Sequence, residues 1–86
     1  MKIEKKVLPQ YFQAIIDGKK KYELRLADFE INPGDTLWLR EWDKDAKDYT
    51  GREIEKEVSY VVKTKDTQFW TEEEVNKFGY QIISFE

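Results

Sequence analysis

The densest group of chemically capable side chains lies between Gly18 and Arg25. These eight residues hold three lysines, a glutamate and an arginine directly after a predicted helix end. Glu23 and Arg25 are two residues apart, so an extended chain places them on one face. A carboxylate beside a guanidinium holds it as a rigid fork for a phosphate or a base edge. Lys20 has the opposite parity and joins them only from a loop or bulge. The alternative is a solvated basic turn with a surface ion pair.

The composition excludes most other chemistry. The 86 residues contain no cysteine and no histidine, which excludes thiolate or imidazole zinc sites, disulfides, and cysteine or histidine catalysis. Ser59 and Ser84 fall in predicted strands without a base. The run from Asp43 resembles a calcium loop but has Lys47 at a ligand position and Asp48 where glycine is required. We expect no metal and no cofactor.

The bulk properties bound the location and the partners. A chain of 86 residues accommodates a single domain, 1–86. The longest apolar stretches, such as Ala14–Ile16, are far shorter than the ~20 residues of a membrane span. The net charge of −3 argues against non-specific duplex binding but leaves room for a local basic pocket. We expect a cytoplasmic monomer that does not bind membranes.

The helix before the basic segment is predicted over residues 9–17. Pro9 suits its first position, where the missing N–H costs nothing. Phe12 and Ile15 fall on one face of this helix. Gly18 follows, where a left-handed residue ends a helix.

Alternation and turn residues predict the rest of the fold. Asn32–Asp35 forms a turn, and residues 43–51 form a long polar loop between two strands of a hairpin. Thr71 opens a second helix, 71–78, with a capping box. The predicted order β-α-β-β-β-α-β, with mostly antiparallel neighbours, is of the α+β class and fits a small curled antiparallel sheet or β-barrel with two short helices. The predicted strands are 2–7, 20–26, 36–42, 52–62 and 80–85.

One carboxylate in the predicted hairpin faces inward. Glu41 shares the face of Leu37 and Leu39. An inward carboxylate needs a partner, and Arg25 or Lys20 is the candidate that we expect.

The opposite face of the same strand carries Trp38, Arg40 and Trp42. These side chains could stack bases. Alternatively, the face lies under the helices, and Arg40 pairs across the hairpin with a row of glutamates, Glu53, Glu55 and Glu57. We favour the second interpretation.

The basic segment resembles a known signature. Gly18, Lys20, Glu23 and Arg25 match Gly-x-Lys-x-x-Glu-x-Arg, which is similar to the signature of the ASCH superfamily, small domains with a PUA-like β-barrel. Three flanking segments resemble a subgroup of short bacterial and phage proteins catalogued as a domain of unknown function: 8–12, 34–42 and 49–53.

This resemblance implies a module that binds RNA or a modified nucleotide. In ASCH-like proteins the signature residues line a cleft, so Lys20, Glu23 and Arg25 are expected to do so here. Arg25 and Lys20 would hold a phosphate or a base carbonyl, and Glu23 would orient Arg25 or accept from an exocyclic amine. Glu41 joins them as a ligand-binding candidate, and Trp42 or Tyr22 would stack on the ligand.

Two other classes of function remain open. The enzymatic branch of the superfamily hydrolyses acylated cytidine with the signature lysine, a threonine at the position of Glu23, and a later carboxylate that residues 72–74 could supply. If the chain is a hydrolase of this kind or a ribonuclease, Lys20 and Glu23 are its catalytic residues. Glu23, however, lacks the hydroxyl that a threonine at this position would supply as nucleophile. A protein-interaction module would use the acidic residues 72–74 or 53–57, although carboxylates at 72–74 also simply complement a helix dipole.

Overall fold

A computed structural model describes residues 1–64 and 70–79 of the chain. It shows a small α+β protein with a mixed three-stranded sheet and two short helices, which confirms the predicted class. The described elements are β1 (Lys2–Val7), α1 (Pro9–Ile16), β2 (Thr36–Asp43), β3 (Asp48–Glu57) and α2 (Glu72–Phe78). No helix in the described ranges is long and apolar enough to cross a membrane.

The sheet has the order β1-β2-β3. Strand β2 is parallel to β1, with Val7 opposite Glu41, and antiparallel to β3, with Leu39 opposite Ile54. The expectation of mostly antiparallel neighbours is therefore wrong for β1 and β2. A parallel pair needs a long crossover, and residues 8–35 provide it. Within the described residues the sheet is not closed into a barrel.

Helix α1 packs on one face of this sheet. Pro9 begins it, as predicted. Phe12 and Ile15 of α1 are buried against Val7 of β1 and Leu39 of β2. This apolar contact fixes the helix over the strand that carries Glu41.

The hairpin is tighter than predicted. The expected loop over 43–51 shrinks to four residues, because β2 runs to Asp43 and β3 begins at Asp48. The Asp43 carboxylate accepts the backbone N–H groups of Asp45 at 2.9 Å and Ala46 at 3.1 Å. An aspartate side chain that bonds the backbone in this way mimics a backbone turn. At its other end β3 stops at Glu57, so the predicted strand 52–62 is wrong at both bounds.

Residues 20–26 do not form the predicted strand. Side chains occupy carbonyl groups that a strand ladder would use. Lys20 donates to the carbonyl of Tyr22 at 2.6 Å, and Arg25 donates to the carbonyl of Lys6. Alternation alone therefore misassigned this segment.

The predicted capping box of the second helix is confirmed. Thr71 accepts the N–H of Glu74 at 3.1 Å, and the Glu74 carboxylate accepts the N–H of Thr71 at 3.1 Å. That backbone bond lowers the pKa of Glu74 below its ordinary value. The predicted strand 80–85 lies outside the described residues.

Candidate functional site

The structure brings Lys20, Glu23 and Arg25 together: the spacing predicted the pair of Glu23 and Arg25, and the resemblance implied that Lys20 joins it. Lys20 Nζ donates to Glu23 Oε1, and Arg25 Nε donates to Glu23 Oε2 at 3.0 Å. One carboxylate therefore holds both cations, each on a separate oxygen. We call these three residues the Lys20–Arg25 cluster.

The end of α1 positions Lys20. Gly18 has φ of 75°, a conformation that glycine adopts without steric cost. The chain then turns so that the N–H groups of Lys19 and Lys20 both donate to the carbonyl of Ala14 at 3.0 Å. Lys20 thus joins Glu23 from a turn rather than from a regular strand.

Strand β1 positions the other end of the cluster. Arg25 Nη2 donates to the carbonyl of Lys6, near the end of β1. The side chains of Lys20 and Glu23 are only 13 % and 14 % exposed, and that of Arg25 is 32 % exposed. Two cations share one carboxylate, so the cluster carries an excess positive charge. The described hydrogen bonds of Arg25 use its Nε and Nη2 atoms. A guanidinium has five N–H groups, and the two on Nη1 take no part in these bonds.

Tyr22 lies beside the cluster. Lys20 Nζ is 4.8 Å from the centroid of its ring, and Tyr22 is 41 % exposed. The ammonium group therefore lies within cation–π distance of a half-exposed ring.

Glu41 is buried, as predicted, but its expected partner is wrong. Arg52 takes the place of Arg25 or Lys20. Arg52 Nε donates to Glu41 Oε1 at 3.2 Å, and Nη2 donates to Oε2 at 3.0 Å. The Thr50 hydroxyl donates to Oε1 at 2.6 Å. These bonds, first that of Arg52 and then that of Thr50, hold the pKa of Glu41 below its ordinary value.

Sequence reasoning missed Arg52, although a signal was present. Arg52 has the same strand parity as Ile54, which packs against the core. It is therefore directed to the face that carries Glu41. The Arg52 guanidinium carbon also lies 4.9 Å from the centroid of the Phe12 ring, and Nη2 donates to Gln13 Oε1 at 3.0 Å. Both contacts link the hairpin to α1.

The face with Trp38, Arg40 and Trp42 does not lie under α1, which corrects the favoured interpretation. Residues of a strand alternate between faces, and α1 packs on Leu39. The predicted pairing of Arg40 with the glutamate row is confirmed by Glu53 at 3.6 Å.

Charged residues and rings interlock on this second face. Arg40 donates to Glu4 at 2.7 Å, a bond that lowers the pKa of Glu4 and raises that of Arg40. The Trp42 ring packs edge-on against Tyr49 at 5.0 Å. Lys6 Nζ lies 3.8 Å from the Trp42 centroid. Lys6 thus contacts Trp42 through its side chain and Arg25 through its carbonyl.

Trp38 on the same face has a polar group without a partner. Its indole Nε1 is buried, and no hydrogen-bond acceptor meets it in the part of the chain that the structure describes. Lys2 Nζ lies 4.6 Å from the centroid of its ring.

No group of three or more histidine, cysteine, aspartate or glutamate residues within 1–64 and 70–79 is arranged to hold a metal ion.

Fold and site together define a small α+β protein with a pre-organised cluster of two cations and a carboxylate. A family model described as "Domain of unknown function (DUF3850)" matches residues 3–84. The chain belongs to this family, which agrees with the expected assignment to a domain of unknown function.

The chain is also similar to the "Uncharacterized 12.9 kDa protein in GpA 3'region" of Escherichia phage P2. The two are 36 % identical over 72 residues, which cover 84 % of this chain and 62 % of the phage protein. The chain thus spans less than two thirds of the length of that relative. No solved structure matches the chain.

Proposed function

We propose that the chain binds RNA or a nucleotide through the Lys20–Arg25 cluster. One observation carries the proposal: a partly buried carboxylate bonds two cations at once, one on each oxygen, and their charge exceeds its own. Surface ion pairs with mobile side chains contribute little to stability. A pre-oriented arginine and lysine avoid the ordering cost that a ligand would otherwise have to overcome.

Each residue has a role in this proposal. Arg25 and Lys20 donate to a phosphate or a base carbonyl. Glu23 orients both, and Tyr22 stacks on a base. Two cations neutralise at most two phosphates, so the dependence of binding on salt should be shallow, with a log–log slope of about −0.7 to −1.4 on a single strand.

The test is a titration at low salt with pentauridylate, an unstructured RNA, and with nucleoside monophosphates. We expect saturable binding that weakens about tenfold or more in Arg25→Ala. Lys63→Ala is a matched control, because Lys63 pairs with Glu30 outside the cluster at 3.7 Å. Absence of binding by the unmodified chain, or unchanged binding in Arg25→Ala, would refute the proposal.

The same preparation tests hydrolysis. Both oxygens of Glu23 already accept from cations, an arrangement that suits holding a cation better than taking a proton from water. We therefore expect no turnover of acetylated cytidine or RNA. Hydrolysis that disappears in Lys20→Ala and Glu23→Gln would replace binding with catalysis as the function.

We also propose that the chain is an ASCH-like domain with a PUA-like barrel. The signature residues Gly18, Lys20, Glu23 and Arg25 support this assignment. Backbone NMR distances or a crystal structure would test whether the sheet closes. A cytoplasmic location and a monomeric state complete the proposal, and cell fractionation and analytical ultracentrifugation test them.

A further inference from the structure

Two arginines in this molecule are held in the same way. Arg25 uses Nε on Glu23 and Nη2 on the carbonyl of Lys6. Arg52 uses Nε on Glu41 and Nη2 on both Glu41 and Gln13. In each case a carboxylate and a second oxygen fix the guanidinium, and the described bonds leave out Nη1.

The Arg52 pair is not an ordinary surface ion pair. The Glu41 side chain is 7 % exposed, whereas that of Arg52 is 47 % exposed. Glu41 also occupies a position on the core face of β2, where an apolar residue would be less costly. Sites that break the hydrophobic pattern in this way are frequently functional. The buried Glu41 carboxylate therefore bonds an arginine whose side chain is half exposed to solvent.

The two arginines lie at the same end of the sheet. Arg25 binds Lys6, and the next residue, Val7, is in register with Glu41 on β2. Arg52 holds Glu41 from β3. Neighbouring strands are about 4.8 Å apart, so the row from β1 to β3 spans roughly 10 Å. Helix α1 also links the two places, since Gln13 accepts from Arg52 and Ala14 accepts from the N–H of Lys20.

We propose that Arg52 binds a second phosphate of the same ligand, so that the site takes a single-stranded oligonucleotide rather than a free mononucleotide. This inference rests on the proposed function. The Lys20–Arg25 cluster holds one phosphate, and Nη1 of Arg52 donates to another further along the strand. Glu41 is a positioning residue that keeps the guanidinium turned outward.

The experiment compares pentauridylate with uridine monophosphate, each titrated over a range of salt. The two phosphates that this proposal assigns to the site predict a log–log slope of about −1.4 for pentauridylate on the unmodified chain, and Arg52→Ala, which leaves one of them, should reduce it to about −0.7. We expect Arg52→Ala to lower the ratio of pentauridylate to mononucleotide affinity about five- to tenfold. Arg25→Ala, in contrast, should weaken both ligands.

Two further variants make the result interpretable. Arg52→Lys keeps a charge beside Glu41, so it protects the fold, but a single ammonium cannot bind Glu41, Gln13 and a phosphate with fixed geometry. It should lower the same ratio, with a circular dichroism spectrum like that of the unmodified chain. Arg40→Ala is the matched control on the opposite sheet face and should change neither ratio nor slope.

The outcomes separate the two proposals. If the unmodified chain binds neither ligand, the proposed function fails and this inference fails with it. If it binds both ligands, but Arg52→Ala and Arg52→Lys keep its affinity ratio and salt slope, only the inference is overturned.

Discussion

At the scale of single residues, the most informative side chain is Glu41. A carboxylate on the core face of a strand costs free energy unless its oxygens are bonded. Arg52 and Thr50 supply those bonds. Removing one partner of a buried pair is costly because the other loses its compensation. Here the cost is moderated, since Arg52 is half exposed and can turn to water.

We predict that Glu41→Gln lowers the free energy of unfolding by about 1.5–3 kcal/mol near neutral pH, the range for hydrogen bonds to charged groups. The pKa of Glu41 in the fold lies below its ordinary 4.5, through Arg52 first and Thr50 second. Stabilisation by the ionised group is therefore present above about pH 4.5 and is lost as the pH falls through the folded pKa. Urea titrations at neutral and at acidic pH measure both effects.

The difference between the two proteins should shrink toward zero at low pH, where Glu41 is protonated and resembles glutamine. Glu53→Gln on the opposite face is the control, because an exposed ion pair contributes little. A stability difference that stays constant from neutral to acidic pH would contradict the assignment of this effect to Glu41 ionisation.

At the scale of elements, the bulge in the hairpin decides where Arg52 lies. The register shifts between Arg40 and Trp42 on β2. On β3, Gly51 has φ of 99°, a conformation that favours glycine. A bulge redirects the side chains that flank it, and here both Thr50 and Arg52 reach Glu41.

We predict that Gly51→Ala lowers the free energy of unfolding by about 1–2 kcal/mol, the cost of a left-handed conformation in an L-residue. Nothing lies within 4 Å of the Cβ that this change would add, so the cost is conformational rather than steric crowding. Thermal and urea unfolding measure it.

A D-alanine at position 51, introduced by chemical synthesis, is the matched control. It adds the same methyl group but favours positive φ, so it should retain the stability of the unmodified chain. Equal destabilisation by both alanine isomers would show that crowding, and not the backbone conformation, requires glycine here.

The elements also show which features the sequence could predict. Helix α1 and the capping box of α2 were predicted because their signals are local: Pro9 at the start, Gly18 at the end, and Thr71 three residues before Glu74. The strand over 20–26 was misassigned because alternation cannot show that Lys20 and Arg25 donate to carbonyls. The parallel pairing of β1 and β2 depends on a crossover, which periodicity does not encode.

For the candidate site, the part within one segment was predictable. Glu23 and Arg25 are two residues apart, so their meeting followed from spacing, whereas the addition of Lys20 was implied only by the resemblance. The pairing of Glu41 with Arg52 was not, because it depends on hairpin register. Moving the start of β3 from 52 to 48 and adding a bulge changes which side chains face each other.

At the scale of the whole molecule, the described core is small. Its buried hydrophobic residues are Val7, Phe12, Ile15 and Leu39 within the ranges that the structure describes. Phe12 is 1 % exposed and also lies under the Arg52 guanidinium. The same ring therefore supports both the packing of α1 and the placement of a proposed ligand residue.

We predict that Phe12→Ala lowers the free energy of unfolding by about 3–5 kcal/mol, as for other buried aromatic truncations. At 0.05–0.15 kcal/mol per residue, a chain of 86 residues has roughly 4–13 kcal/mol in total. The variant should therefore be marginally folded at best, and circular dichroism melting should show a broad transition at reduced temperature. Tyr11→Ala, next to it on α1 and 48 % exposed, should stay much closer to the unmodified chain. If both variants melt alike, the packing of α1 on the sheet through Phe12 does not hold this fold together, and the placement of Arg52 over the ring loses its structural basis.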